Sequence, residues 1–166
     1  MKPDRFIVTS ELGKLAKWLR ILGYDTVYYD RKDPGGMIIL ALREQRVILT
    51  RSSIYANFKG IKQVIVARDL VEDQLDQVAA ETGLSVNEDA LFHICVECNT
   101  PLIGIRKKDV EDKVPEEVYG ARKEFKACPM CQKIYWKGTH WDMVKTWLEK
   151  RRGAEGKKAG KNGTDK

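Results

Sequence analysis

Phe6-Ile7-Val8-Thr9-Ser10-Glu11-Leu12-Gly13-Lys14-Leu15-Ala16-Lys17-Trp18-Leu19-Arg20-Ile21-Leu22-Gly23-Tyr24-Asp25-Thr26-Val27-Tyr28-Tyr29 reads as strand, helix and strand in succession. Phe6 to Thr9 is a short apolar run. From Ser10 the spacing changes: Leu12, Leu15, Leu19 and Leu22 fall at helical intervals. Thr9 or Ser10 suits the cap of that helix, and Gly23 suits its end. Asp25 to Tyr29 is β-branched and aromatic, as a second strand requires.

The alternation continues. Asp33-Pro34-Gly35-Gly36 reads as a turn and Met37 to Gln45 as a short helix. Arg46-Val47-Ile48-Leu49-Thr50 reads as a strand, followed by polar Arg51, Ser52 and Ser53. Val64 to Ala67 is a fourth strand. A helix from Asp69 to Thr82 follows, with Glu72 at the capping-box position and Gly83 closing it. Four strands alternating with three helices specify an α/β fold with a mostly parallel sheet flanked by helices. Sites in such sheets lie beyond the carboxyl ends of the strands. Here those ends carry Thr9, Ser10, Asp30, Arg51, Ser52, Arg68 and Asp69.

The chain's only four cysteines form two C-x-x-C pairs, Cys95-Val-Glu-Cys98 and Cys128-Pro-Met-Cys131, with 29 residues between them. Each pair turns two thiolates toward one point, and two pairs supply four soft ligands for tetrahedral zinc. With every position filled by sulfur, no place is left for water or substrate, so the reading is a structural zinc ribbon. Two disulfides would need an oxidising compartment, and the chain opens without a secretory pattern. A thioredoxin-like pair would leave the other C-x-x-C idle. No apolar run approaches the roughly 20 residues that span a bilayer, so no membrane role and a cytoplasmic, reducing setting are expected.

The domain expectation is residues 1–90 for the α/β part, 91–150 for the ribbon with a closing helix, and 151–166 for a disordered basic tail. Lys107 to Lys126 would hold a helix or long loop between the knuckles. Met143, Val144, Trp147 and Leu148 mark the inner face of the closing helix. From Lys150 to Lys166 there are seven basic and two acidic residues, so this stretch holds +5 of the net +6 charge. With glycines and no apolar face, it reads as a solubilising end, with a nucleic-acid arm as the alternative. The basic balance of the whole chain therefore says little about a nucleic-acid groove elsewhere.

These segments resemble one family. The stretch from Phe6 to Thr26, Arg46 to Arg51, Cys95 to Asn99, Val114-Pro115, and Cys128 to Cys131 with Ile134 to His140 look like the Mut-seven C-terminal RNase domain. The resemblance runs from about Phe6 to Leu148. It implies a PIN-like nuclease fold fused to a zinc ribbon, and metal-dependent RNA hydrolysis. Such nucleases gather acidic side chains at the strand ends to hold Mg2+ or Mn2+. By the resemblance, Thr9, Gly36 and Ser52 stand where carboxylates belong. Asp30, Asp33 and Asp69 are the residual acids that could take over catalysis, with Glu11 and Asp25 also near the rim. Each has a structural reading as well: a first-turn residue for Glu11, turn residues for Asp30 and Asp33, an N-cap for Asp69.

The expectation is thus a nuclease-derived RNA or ribonucleoprotein-binding protein with substituted catalytic acids. An active metal-dependent ribonuclease and a protein-interaction adaptor with a protein partner are the alternatives. Arg51, Lys137 and His140 are the candidates for contact with RNA. Trp136 and Trp141 suit either base stacking or ribbon packing. His93 is placed to replace a zinc ligand or to pack on the ribbon.

Overall fold

The computed structural model describes residues 5–56 and 58–159, with side chains described as far as Gly153. The chain divides into two compact units. The first comprises residues 1–103 and 127–133, and the second comprises 104–126 and 134–166. The first knuckle, which the sequence reading places in the ribbon module, thus lies in the same unit as the α/β sheet, together with the second knuckle.

The first unit is built on four parallel strands: β1 (Arg5–Thr9), β2 (Asp25–Tyr29), β3 (Val47–Thr50) and β4 (Gln63–Ile65). Their order is β2-β1-β3-β4. β1 pairs with β2 through Phe6 opposite Thr26 and with β3 through Ile7 opposite Ile48. Helices α1 (Gly13–Ile21), α2 (Pro34–Glu44) and α3 (Val71–Thr82) connect them or follow them. Phe6, Ile7, Val8, Ile48 and Leu49 are fully buried, as strands covered on both faces must be. Leu15 and Leu19 of α1, Met37 of α2 and Leu75 and Val78 of α3 complete the core.

Three local differences from the sequence reading bear on the site. Ser10–Leu12 forms a separate 3-10 turn before α1. Asp33 to Gly36 is a helix start and not a free turn: Asp33 is the N-cap of α2, its carboxylate accepts from the Gly36 N–H at 3.0 Å, and Pro34 opens the helix. Proline at the first helical position loses nothing, because that N–H has no helical partner. Asp69 does not cap α3; Leu70 is the N-cap, without a side-chain bond.

In the second unit, α4 (Glu116–Ala121) follows a 3-10 turn at Lys107–Val110, so the stretch from Lys107 to Ala121 holds short helices. Strands β5 (Ile103–Ile105), β6 (Phe125–Ala127) and β7 (Ile134–Tyr135) form a small sheet in that order. Helix α5 spans Thr139–Ala159. Val144, Trp147 and Leu148 are buried as expected, but Met143 is half exposed, since one residue back from Val144 is a 100° turn away. The first residues of the expected tail continue α5, in keeping with their Arg, Ala, Glu and Lys content. The last part of that tail, residues 160–166, lies outside the described residues.

Candidate metal centre and strand-end cleft

The two knuckles repeat one geometry. Cys98 N–H donates to Cys95 Sγ at 3.4 Å, and Cys131 N–H to Cys128 Sγ at 3.5 Å. The next residue turns left-handed in each, Asn99 at φ 59° and Gln132 at φ 63°. Its N–H returns to the first cysteine's carbonyl, at 3.0 Å from Asn99 and 2.9 Å from Gln132. Asparagine tolerates that conformation; glutamine adopts it at a cost that the loop's hydrogen bonds offset.

All four sulfurs lie within 4.8 Å of one another, and none is in a disulfide. Cys95 Sγ and Cys131 Sγ are 3.7 Å apart. Zn–S bonds of about 2.3 Å at tetrahedral angles put sulfurs about 3.8 Å apart, so the cluster fits a metal such as zinc. The Cys98 thiol is pushed up to about 12, first by its bond to Cys131, then by burial and by Cys95. His93 is exposed and outside the cluster.

The first knuckle is tied to the start of the sheet. Arg20, buried on α1, donates from Nε to the Thr26 carbonyl at 2.9 Å, and from one terminal nitrogen to the Val96 and Glu97 carbonyls at 2.7 and 3.0 Å. Asn99 donates to Asp25 Oδ1 at 2.6 Å and accepts the Thr26 N–H at 2.8 Å. Asp25 also receives both terminal nitrogens of buried Arg46, at 2.8 and 3.0 Å. Burial pulls the Asp25 carboxyl up, but Arg46, Asn99 and Arg5 outweigh it and hold it below the ordinary carboxylate range. Asp25 therefore serves at the foot of the sheet and not at the rim.

The cleft lies at the other end of the strands. The strand order reverses between β1 and β3, and a crevice opens beyond their carboxyl ends, as parallel sheets predict. It measures about 220 Å3, and its lining includes Thr9, Glu11, Tyr29, Asp33, Thr50 and Ser52. From Asp25 to Tyr29 the strand runs about 13 Å at 3.3 Å per residue. The knuckle bonded at Asp25 and Thr26 thus takes no part in cleft chemistry.

Within the cleft the hydroxyls are engaged. Thr9 donates to Glu11 Oε1 at 2.6 Å. Ser52 Oγ accepts the Ile54 N–H at 3.2 Å, and Thr50 Oγ1 accepts the Ser52 N–H at 3.1 Å. Glu11 Oε1 also accepts the Arg51 N–H at 3.3 Å. Burial raises the Glu11 carboxyl, while Thr9 and Arg51 bring it below its ordinary value. Tyr55 is raised, first by burial and then by Glu11, Tyr29 and Asp33. Two carboxylates of the cleft lining therefore act on one phenol. A side chain at position 36 would run into the Asp33 carboxylate and the Tyr29 hydroxyl. Asp33 fills with its own carboxylate the space above Gly36.

The three residual acids named from the sequence do not gather as a set. Asp33 lines both the cleft and an adjoining groove, where Asp30 joins it with Tyr28, Ile39 and Arg43. Asp69 is 91% exposed at its side chain and pairs with Arg51 at 3.2 Å. Among the described residues, the cysteines are the one group of three or more potential ligands within 4.8 Å. Among the described residues, the carboxylates of the cleft do not make a second such group. Glu11, which the sequence offers both as an acid near the rim and as a first-turn residue, is brought back over Thr9 by the Ser10–Leu12 turn. Ser-Glu-Leu suits an α-helical first turn equally well, so nothing local reveals that bend. Lys137 and His140 are exposed beside the start of α5 in the second unit.

No helix among the described residues is long and apolar enough to cross a membrane. No curated protein matches the chain. A family model, the Mut7-C RNAse domain, matches residues 4–148, most of the sheet unit, both knuckles and the greater part of the second unit. A parallel sheet with its crevice at the β1–β3 reversal, joined to a four-cysteine cluster, is therefore the form taken here by a member of the Mut7-C RNAse domain family.

Proposed function

We propose that this chain binds RNA, alone or within a ribonucleoprotein, through a strand-end cleft that cleaves poorly or not at all, and that its four cysteines hold one structural zinc. The observation carrying the reading is the state of Thr9 and Ser52. Thr9 ends β1 and Ser52 lies two residues past β3, both with neutral hydroxyls, one donating to Glu11 and the other accepting from Ile54. By the family resemblance both positions call for carboxylates. A hydroxyl brings no charge to offset that of a phosphate in attack. Arg31 and Lys32 on the cleft wall and Arg51 beside it supply cations for a phosphodiester, with Lys137 and His140 adding contacts in the second unit. Four free thiols suit a reducing, cytoplasmic setting.

A second reading, residual metal-dependent cleavage, has its own support. Asp33 stands over Gly36 and Glu11 stands beside Thr9, so two of the three acids implied by the resemblance have displaced counterparts. One assay separates the readings: labelled single-stranded RNA, with Mg2+ or Mn2+, followed for both binding and chain length. The first reading predicts salt-sensitive binding with intact RNA. Robust cleavage, stopped by chelator and by Asp33→Asn, would install the second. Neither binding nor cleavage would leave the chain as a protein-binding adaptor.

A further inference from the structure

Two lysines of the second unit converge on one aromatic ring. Lys137, just ahead of α5, holds its ammonium 4.7 Å from the centroid of the Trp141 ring. Lys145, one helical turn past Trp141, holds its own 5.7 Å from that ring. The two charges are thus no more than about 10 Å apart, roughly the Debye length at 0.1 M salt. They repel each other through that distance, and neither has a carboxylate in ion-pair range among the described residues.

Lys126 on β6 adds a third charge. Burial, and then the nearby Lys137 ammonium, hold its amine below the ordinary lysine range, against the pull of Glu124. The three lysines come from a strand, the segment before a helix and the helix itself, all within one compact unit. Attraction to the Trp141 ring keeps two of them together, though at a surface that attraction is modest. A set of like charges held this way favours a polyanion, which can meet all of them at once. Ammonium groups are point charges with freely turning donors. They match phosphate oxygens and carry no pattern for reading base edges.

We infer that Lys137 and Lys145, converging on the Trp141 ring, form with Lys126 of the same unit a platform for the phosphodiester backbone of single-stranded RNA, one that holds RNA of any sequence. This rests on the RNA-binding reading given above and adds a second contact surface to the cleft.

The test uses the full-length, zinc-loaded protein and fluorescein-labelled oligouridine and oligoadenine, with anisotropy read over a range of KCl concentrations. The platform variant is Lys126→Gln with Lys137→Gln and Lys145→Gln. A control removes the same charge elsewhere, through Lys59→Gln, Lys62→Gln and Lys113→Gln. Each phosphate contact contributes about 0.7 to the slope of log affinity against log salt for a single strand. The platform variant should therefore lose about 2 from that slope, equally on both oligonucleotides, while the control stays near wild type. If the triple variant folds poorly, Lys137→Gln and Lys145→Gln alone should each lose about 0.7. An unchanged slope in a folded variant, or an equal loss in the control, overturns the platform and leaves the RNA reading standing. Wild-type protein that binds neither oligonucleotide overturns the RNA reading, and the platform with it.

Discussion

The cysteine cluster and the strand-end cleft sit at opposite ends of one sheet and are encoded in opposite ways. In the cluster, every ligand is supplied by a short loop whose geometry is set by its own backbone bonds, and all four sulfurs face one point. By the proposed reading, ligands in the cleft would come from three separate segments, where the resemblance puts Thr9, Gly36 and Ser52 at the acidic positions. What carboxylate remains, Glu11 and Asp33, already accepts protein donors. A site encoded locally stays intact or is lost as a unit. A site assembled from distant positions can lose its charge piece by piece while the fold persists.

The largest effect should come from breaking the complete site. Cys128→Ser removes one of four zinc ligands, and structural zinc carries on the order of 10 kcal/mol in small zinc modules. If the two knuckles served only a separate ribbon, the parallel sheet would melt as before. Arg20 and Asn99 instead tie the first knuckle to α1 and β2. Calorimetry should show zinc lost and the sheet's own transition lowered by about 10 °C or more. A sheet transition unchanged in the zinc-free variant would show that the tie carries no energy.

Arg20→Gln should have the next largest effect. It takes a buried guanidinium from three carbonyls, and charge-assisted bonds of this kind are worth about 1.5–3 kcal/mol each. The four cysteines are untouched, yet the loop that carries two of them loses its support. Zinc affinity, measured by competition with a chromophoric chelator, should fall about 10- to 100-fold, the usual cost of losing an outer-shell partner. Wild-type affinity in this variant would mean that the knuckle is rigid without its dock.

Asp25 gives a smaller, pH-dependent effect. Its carboxyl lies below the ordinary range in the fold, so it stabilises the folded chain above the unfolded value of about 3.9. That contribution fades as pH falls through the lower, folded value. Urea midpoints for wild type and Asp25→Asn should therefore differ at pH 7 and converge toward pH 3. Zinc release in acid lowers both alike. Because the Asp25 side chain is 34% exposed, solvent screening keeps the gap modest. A gap that widens in acid would reverse the sign assigned to Asp25.

How much of this was legible in the sequence follows the same division. The strand–helix–strand from Phe6 to Tyr29 reads directly, because periodicity and glycine stops agree there. The C-x-x-C pairs read directly because ligand spacing is local. Arg20 was hidden by its charge, though one signal was present: it lies four residues past buried Ala16, on the inner face of α1. Asp33 looked like a turn residue, since Asp-Pro-Gly-Gly suits a turn as well as an N-cap with proline behind it. Asp69 looked like a cap with Glu72, but a cross-strand partner, Arg51, engages it. Residues far apart in sequence decide such pairings, and no local pattern reports them. The cleft's key pair, Thr9 with Glu11, depends on a 3-10 turn that the residues allow without requiring it.

The most direct test of the proposal that the cleft lacks its acids is Mn2+ binding to the zinc-loaded protein by calorimetric titration, for wild type and for Thr9→Asp with Ser52→Asp. Two added carboxylates at the ends of β1 and β3 should turn a weak response into binding at least about tenfold tighter, since hard cations follow carboxylate number. Tight wild-type binding, lost in Asp33→Asn and unimproved by the two added aspartates, would contradict the account and make the cleft a working metal site.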